Sequence, residues 1–174
     1  SIYLIGKCYL TGDGVEKDPS QAYEWFERAV ALEEHGSDDA RFCLGFCQYY
    51  GSGCEEDDDA AYNNFSLAHE AGVERAAYYV GACNYWGQGT SKNYIKAAEH
   101  FEECAESDPD AAFYLGECHR NGTGRKKDYK KAFEWYLKSA EGEVDNAQMA
   151  IGRAFYLGEG VAEDNVEAVK WLDL

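Results

Sequence analysis

Seven cysteines, four histidines and one run of five acidic residues are the side chains in this sequence best suited to chemistry. Cys118 stands beside His119, the two residue types from which a thiolate nucleophile and its base are built. Adjacent residues of a helix point in different directions, so adjacency alone does not make that pair. His35, His69, His100 and His119 are isolated from one another, and no His-Glu-x-x-His motif brings two imidazoles to one metal. Glu55-Glu56-Asp57-Asp58-Asp59 lacks the alternating oxygen spacing and the closing glutamate of a calcium loop. At the start of a helix, those charges are favoured by the helix dipole. Paired glycines hint at a phosphate loop, but a dinucleotide fingerprint needs a preceding strand and a third glycine. A triad assembled in space stays open. The residues assign no catalytic group, cofactor or metal, and the chain is read as not an enzyme.

The glycines belong to a repeat. The pairs Gly12/Gly14, Gly51/Gly53, Gly87/Gly89, Gly122/Gly124 and Gly158/Gly160 step by 39, 36, 35 and 36 residues. Another glycine lies six residues before each pair (Gly6, Gly45, Gly81, Gly116, Gly152), and alanine follows ten residues after its first member (Ala22, Ala61, Ala97, Ala132, Ala168). Self-similarity at this period marks a solenoid, whose units bury their apolar faces against neighbours. Within the first unit, Ile2, Ile5 and Tyr9 show helical spacing, Thr11-Gly12-Asp13-Gly14-Val15 turns the chain, and Asp18-Pro19 starts a second helix. Gln21 is placed to complete a capping box, and Ala22, Trp25, Phe26 and Ala29 continue the helical pattern. Asp57, Asn93, Asp128 and Asp164 cap the equivalent helices, and Trp25, Phe65, Phe101, Trp135 and Trp171 are expected to fill the space between units.

The expected fold is all-α: a right-handed α/α solenoid, or superhelix, of about five stacked helix–turn–helix repeats. A single domain over 1–174 divides into units 1–39, 40–75, 76–110, 111–146 and 147–174. The chain opens abruptly at a repeat start and stops at Val169-Lys170-Trp171-Leu172 inside a second helix. It is read as a fragment of a longer protein, or as a chain whose exposed C-terminal end docks on another copy.

These motifs resemble the Sel-1-like repeat, a relative of the tetratricopeptide repeat. The matching residues run Ile5-Gly6 to Tyr9, Gly12-Asp13-Gly14-Val15, Asp18, Ala22 and Trp25-Phe26 in the first unit. They recur as Leu115-Gly116, Gly122-Thr123-Gly124, Asp128, Ala132 and Trp135-Tyr136 in the fourth, and Ile151-Gly152 to Trp171 in the last. The middle units depart at the tyrosine position, which holds Gln48, Asn84 and His119, and at the valine position, which holds Cys54, Thr90 and Arg125. The resemblance implies a non-enzymatic adaptor that holds protein complexes together. It also carries an alternative, a hydrolase-like activity of the cysteine-rich members.

Cys8, Cys47, Cys83 and Cys118 occupy one position in successive units, with Ala154 in the fifth. Helix axes pack ~8–10 Å apart, whereas a disulfide wants Cα atoms within about 7 Å. The ladder therefore reads as small buried hydrophobes. Free thiols lean slightly toward a cytoplasmic setting, and localisation is otherwise unknown.

The formal net charge of −17 makes nucleic acid an unfavourable partner, and no apolar run reaches the ~20 residues that span a membrane. A basic or neutral protein or peptide suits this field. One island runs the other way, with Arg120, Arg125, Lys126, Lys127, Lys130 and Lys131 against Asp128. In related solenoids the first helix of each pair lines the concave face, at positions three before and one, four and five after the helix glycine. These are Tyr3, Lys7, Leu10 and Thr11, then Phe42, Phe46, Tyr49 and Tyr50, then Tyr78, Ala82, Tyr85 and Trp86. The fourth unit offers Phe113, Glu117, Arg120 and Asn121, and the fifth Met149, Arg153, Tyr156 and Leu157. Aromatic side chains are strong interface anchors. Phe42, Phe46, Tyr49, Tyr50, Tyr78, Tyr85, Trp86, Phe113 and Arg120 are accordingly the candidate partner-binding residues. The competing reading is that Tyr49 and Tyr85 replace the core tyrosine missing at Gln48 and Asn84.

Overall fold

The computed structural model describes residues 1–33 and 35–173. Its described residues form ten helices and no strand, in two compact units, Ser1–Lys92 and Asn93–Leu174. The first unit holds α1 (Ile2–Thr11), α2 (Pro19–Ala31), α3 (Ser37–Tyr50), α4 (Asp58–Glu70) and α5 (Ala76–Trp86). The second holds α6 (Tyr94–Cys104), α7 (Pro109–Asn121), α8 (Tyr129–Glu141), α9 (Asp145–Leu157) and α10 (Asn165–Leu172). Within each unit every helix packs on the next in sequence.

The helix starts follow from capping. Asp18 accepts hydrogen bonds from the Ser20 and Gln21 amides, Asp57 from Ala60, Asn93 from Lys96, Asp128 from Lys130 and Lys131, and Asp164 from Val166 and Glu167. Each satisfies amides that the first turn leaves unpaired. The capping box expected at Gln21 is replaced by a longer-range bond, because the Asp18 amide donates to the Tyr9 carbonyl at 2.9 Å. The same bond ties Asp57 to Gln48, Asp128 to His119 and Asp164 to Phe155. Its acceptor is a main-chain carbonyl, so the turn survives the exchange of tyrosine for glutamine, histidine or phenylalanine. The side chains there find their own partners: Asn84 Nδ2 donates to the Val80 carbonyl at 2.8 Å, and Asn64 Nδ2 donates to Gln48 Oε1 at 2.8 Å.

The first helix of each pair ends on a glycine whose amide donates to the carbonyl of Cys8, Cys47, Cys83, Cys118 or Ala154. The following residue's amide reaches the same carbonyl, the bonding of a left-handed helix stop.

In the pairs that begin with α1, α3, α7 and α9, the helix glycine makes room for a ring or a branched side chain. A Cβ on Gly45 would lie 2.9 Å from the Phe65 ring, and one on Gly116 would lie 2.6 Å from that of Tyr136. Gly6 stands against Phe26 and Gly152 against Leu172 in the same way. This corrects the expected filler residues. Phe65 and Phe101 are buried as expected, but Trp25 and Trp135 are half-buried and their successors Phe26 and Tyr136 take the core position. Trp171 likewise lies half-buried while Leu172 meets the glycine. The residue four past Ala22, Ala61, Ala97 and Ala132 continues the buried stripe, and the tryptophan three past Ala22 and Ala132 lies on the rim. There Arg28 covers Trp25 and Lys138 covers Trp135, at 5.2 and 5.5 Å from the ring centres.

The second turn glycine seats on the unit before it. Gly53 lies against the Pro19 carbonyl, Gly89 against Asp58, Gly124 against Tyr94 and Gly160 against Tyr129, all so close that a Cβ would overlap the backbone. Gly14 has the same left-handed backbone as Gly53, with φ of 76° against 83°, but no described atom lies within 4 Å of its Cβ position. The pair separates conformational strain from close packing. Gly14→Ala should cost about 1–2 kcal/mol from backbone conformation alone, and Gly53→Ala about 2 kcal/mol more through overlap. Urea unfolding of the two variants checks the difference; equal losses would rule out the seat.

Candidate functional site

The aromatic residues of α3 and α5 sort into core and surface. Phe42 is only 7% exposed; its ring packs 5.7 Å from Phe65 and 5.4 Å from Tyr79, and the Arg75 guanidinium covers it at 4.3 Å. Arg75 is itself held by Asp39 at 2.7 Å. Phe42 thus belongs to the core and supports the face rather than presenting a surface. Phe46 and Tyr49 are half-buried and pack against the core, at 6.1 and 6.2 Å from the Tyr79 ring. Tyr49 also donates its hydroxyl to Gln88 Oε1 at 2.6 Å. Tyr49 thus fills part of the core, as the competing reading expected, while its hydroxyl bonds toward the next turn.

Tyr50 and Trp86 differ from these. They are 53% and 48% exposed, and each stands on a half-buried neighbour in a perpendicular ring pair: Tyr50 on Tyr49 at 4.9 Å, Trp86 on Tyr85 at 4.8 Å. Phe46 supports Tyr50 from the preceding turn at 4.7 Å. Tyr78 is half-buried beside Tyr79 at 5.2 Å. The surface therefore carries two fixed aromatic faces at equivalent positions of successive repeats, each already ordered by its own unit. Sequence reasoning missed Tyr79 and Arg75, which organise the face from below. Their contacts reach α3 from α5 and from Arg75 just before it, so spacing along either helix carries no signal of them.

In the second unit Phe113 is half-buried, with Tyr114 at 5.3 Å and Tyr136 at 5.9 Å. Arg120 bonds Glu159 at 2.9 Å, and Arg125 grips Glu102 through two nitrogens at 3.0 and 2.7 Å. Those contacts hold the Glu102 carboxyl below its usual range, through the Arg125 hydrogen bonds first. Lys127 lies over the Tyr129 ring, and Asp128 caps α8. Much of the basic island seen in the sequence is thus matched within its own unit.

Three comparisons set this geometry among known proteins. The Sel1 repeat model matches residues 1–33, 39–73, 74–108, 109–143 and 145–174. A protective antigen of uropathogenic Escherichia coli strains with an SLR fold is 28% identical, with a TM-score of 0.84 over 99% of this chain and 36% of its own. A Sel1 repeat protein from Oxalobacter formigenes is 30% identical, with a TM-score of 0.82 over 99% of this chain and 69% of its own. Cysteine-rich protein B of Helicobacter pylori, 21% identical with a TM-score of 0.53 over 78% of this chain and 96% of its own, shares the fold alone. The chain spans about a third of the length of the Escherichia coli antigen. No curated protein matches the sequence.

All seven cysteines are free. Cys43, Cys47, Cys83, Cys104 and Cys118 are buried, and Cys8 and Cys54 half-buried. Burial pushes Cys47, Cys83 and Cys104 up to about 12 and Cys43 and Cys118 up to about 11. Those five are protonated at neutral pH, the opposite of an activated thiolate. Iodoacetamide at pH 7 should therefore modify Cys8 and Cys54 in the native protein and all seven in urea, read by mass. The folded thiols titrate above the unfolded value of about 8.5. The stability they contribute is complete below that pH and is lost as pH rises toward the folded values. The urea midpoint should accordingly fall between pH 8.5 and 10.5.

Proposed function

We propose that this chain, which belongs to the Sel1 repeat family, captures a segment of a partner protein on the aromatic face of α3 and α5. Sel1 repeat proteins are generally protein-interaction scaffolds, which places the chain in a class without locating its site. The observation that carries the site is the exposure of Tyr50 and Trp86 on top of rings that are themselves packed. A large side chain already fixed in place loses little conformational freedom when a partner covers it. Phe46, Tyr49, Tyr78 and Tyr85 supply the half-buried walls, and Phe42 the support beneath. The bound segment is extended or helical, and basic or neutral, in keeping with the net charge of −17.

A hydrolase built on a cysteine nucleophile needs a low-pKa thiol beside a base, and the five raised thiols do not supply it. Among the described residues no helix is long and apolar enough to cross a membrane.

Two anchors at about 2 kcal/mol each make Tyr50→Ala/Trp86→Ala weaken a captured partner roughly a thousandfold. Affinity capture from source-cell lysate, with native and doubly substituted chains side by side and matched circular dichroism, reads this directly. Equal capture by both would remove the site from this face.

A further inference from the structure

A second candidate site lies in the unit Asn93–Leu174, whereas the aromatic residues of α3 and α5 belong to the unit Ser1–Lys92. A groove of about 330 Å³ is lined by Phe113 and Glu117 of α7 and by Asn146, Met149, Ala150 and Arg153 of α9. The four α9 residues fall at i, i+3, i+4 and i+7, one stripe of a helix, and the two α7 residues stand one turn apart. The middle of the groove is apolar: Phe113 is half-buried, Ala150 is buried, and Met149 is 54% exposed. Asn146 is exposed at one end and Arg153 stands at the other.

Arg153 is poorly matched. Its Nη2 lies 3.5 Å from Glu117 Oε1, a long contact, and its buried Nε has no hydrogen-bond partner among the described residues. Glu117 is occupied elsewhere, since Oε1 accepts the Tyr136 hydroxyl at 2.5 Å and Oε2 accepts Asn121 Nδ2 at 3.1 Å. Other cations of the unit are better served: Arg120 by Glu159, Arg125 by Glu102 through two bonds, Lys138 by Glu106. Arg153, with only this long contact to Glu117, stands as a guanidinium beside an apolar floor, an arrangement suited to an incoming carboxylate.

We propose that this groove binds an extended protein segment that carries an apolar side chain two residues from an acidic one. Charge complementarity at Arg153 selects the acid, and Phe113, Met149 and Ala150 receive the apolar group. The spacing agrees. Residues two apart on one side of an extended chain are about 6.6 Å apart, and Met149 to Arg153 is about 6 Å along the helix. Asn146 then lies one turn beyond the apolar floor, where its amide meets the segment's backbone. The site has a specificity opposite in charge to that of the aromatic face, and it stands without it.

The test is a titration of the full ¹⁵N-labelled chain with a blocked heptapeptide, acetyl-Ala-Ala-Leu-Ala-Glu-Ala-Ala-amide, followed by amide shifts. Saturable shifts at Asn146, Met149 and Arg153 are expected. Replacing the peptide's glutamate by glutamine should weaken binding about tenfold, and Arg153→Ala should erase that discrimination. Arg153→Lys, which keeps the charge but not the fork, should recover only part of it and guards against a folding defect. Tyr50→Ala/Trp86→Ala should leave the titration unchanged, so a failure of the aromatic face is read separately. Equal binding of both peptides, shifts confined to α3 and α5, or no shift at millimolar peptide would each overturn the proposal.

Discussion

Four helix pairs rest on a glycine standing under a ring or a branched side chain: Gly6, Gly45, Gly116 and Gly152. A glycine in a helix interior costs roughly 0.5–1 kcal/mol relative to alanine, and at Gly45 and Gly116 that cost is exchanged for the approach of Phe65 and Tyr136, whose side chains are almost fully buried. Burying one such ring is worth about 2–3 kcal/mol, so the exchange favours glycine clearly. The consequence runs outward. Once the second helix lies this close, its N-terminal carbonyl stands where the next unit's turn glycine must sit, as Pro19 does for Gly53 and Tyr129 for Gly160. Any side chain at either place would separate the helices and remove the surface on which the aromatic face is built.

That dependence explains what the sequence made legible. Glycine, alanine and cap positions are dictated by close approach and by unpaired amides, and neither can be met by other residue types, so they recur visibly. The aromatic fillers were less legible. Trp25-Phe26 and Trp135-Tyr136 place two large residues side by side, and composition does not say which faces inward; the phase relative to Ala22 and Ala132 does. The Gln48 and His119 departures read as irregular only while the tyrosine side chain is taken as the repeating feature. The bond that matters there comes from the main chain, and side-chain identity is free to drift.

The candidate surface was legible as a cluster of residues but not as a hierarchy. Phe42 and Tyr50 are eight residues apart on one helix and equally aromatic, yet one is enclosed by Phe65, Tyr79 and Arg75 while the other faces solvent. The difference arises from Tyr79 of α5 and Arg75 just before that helix, a contact that periodicity along one helix does not reveal. Charge shows the same limit. The run from Arg120 to Lys131 is the basic feature of the sequence, but Glu102, Glu159 and the α8 cap absorb much of it in the fold. Arg153, unremarked by composition, is left with donors to spare.

Repetition and recognition pull against each other in such a fold. The residues that seat one unit on the next must be nearly the same in every unit, because the geometry they satisfy is the same. Variation can then fall at positions that the joints do not use, such as five past the helix glycine. Tyr50 and Trp86 occupy the position five past the glycine in two successive repeats, and Asn121 occupies it in a third. Substitution there leaves the glycine seats and carbonyl bonds intact, so neighbouring repeats can hold opposite chemistries on one scaffold. An aromatic pair and an arginine-ended groove are the two such solutions proposed for this chain, each resting on side chains that the helix packing already holds in place.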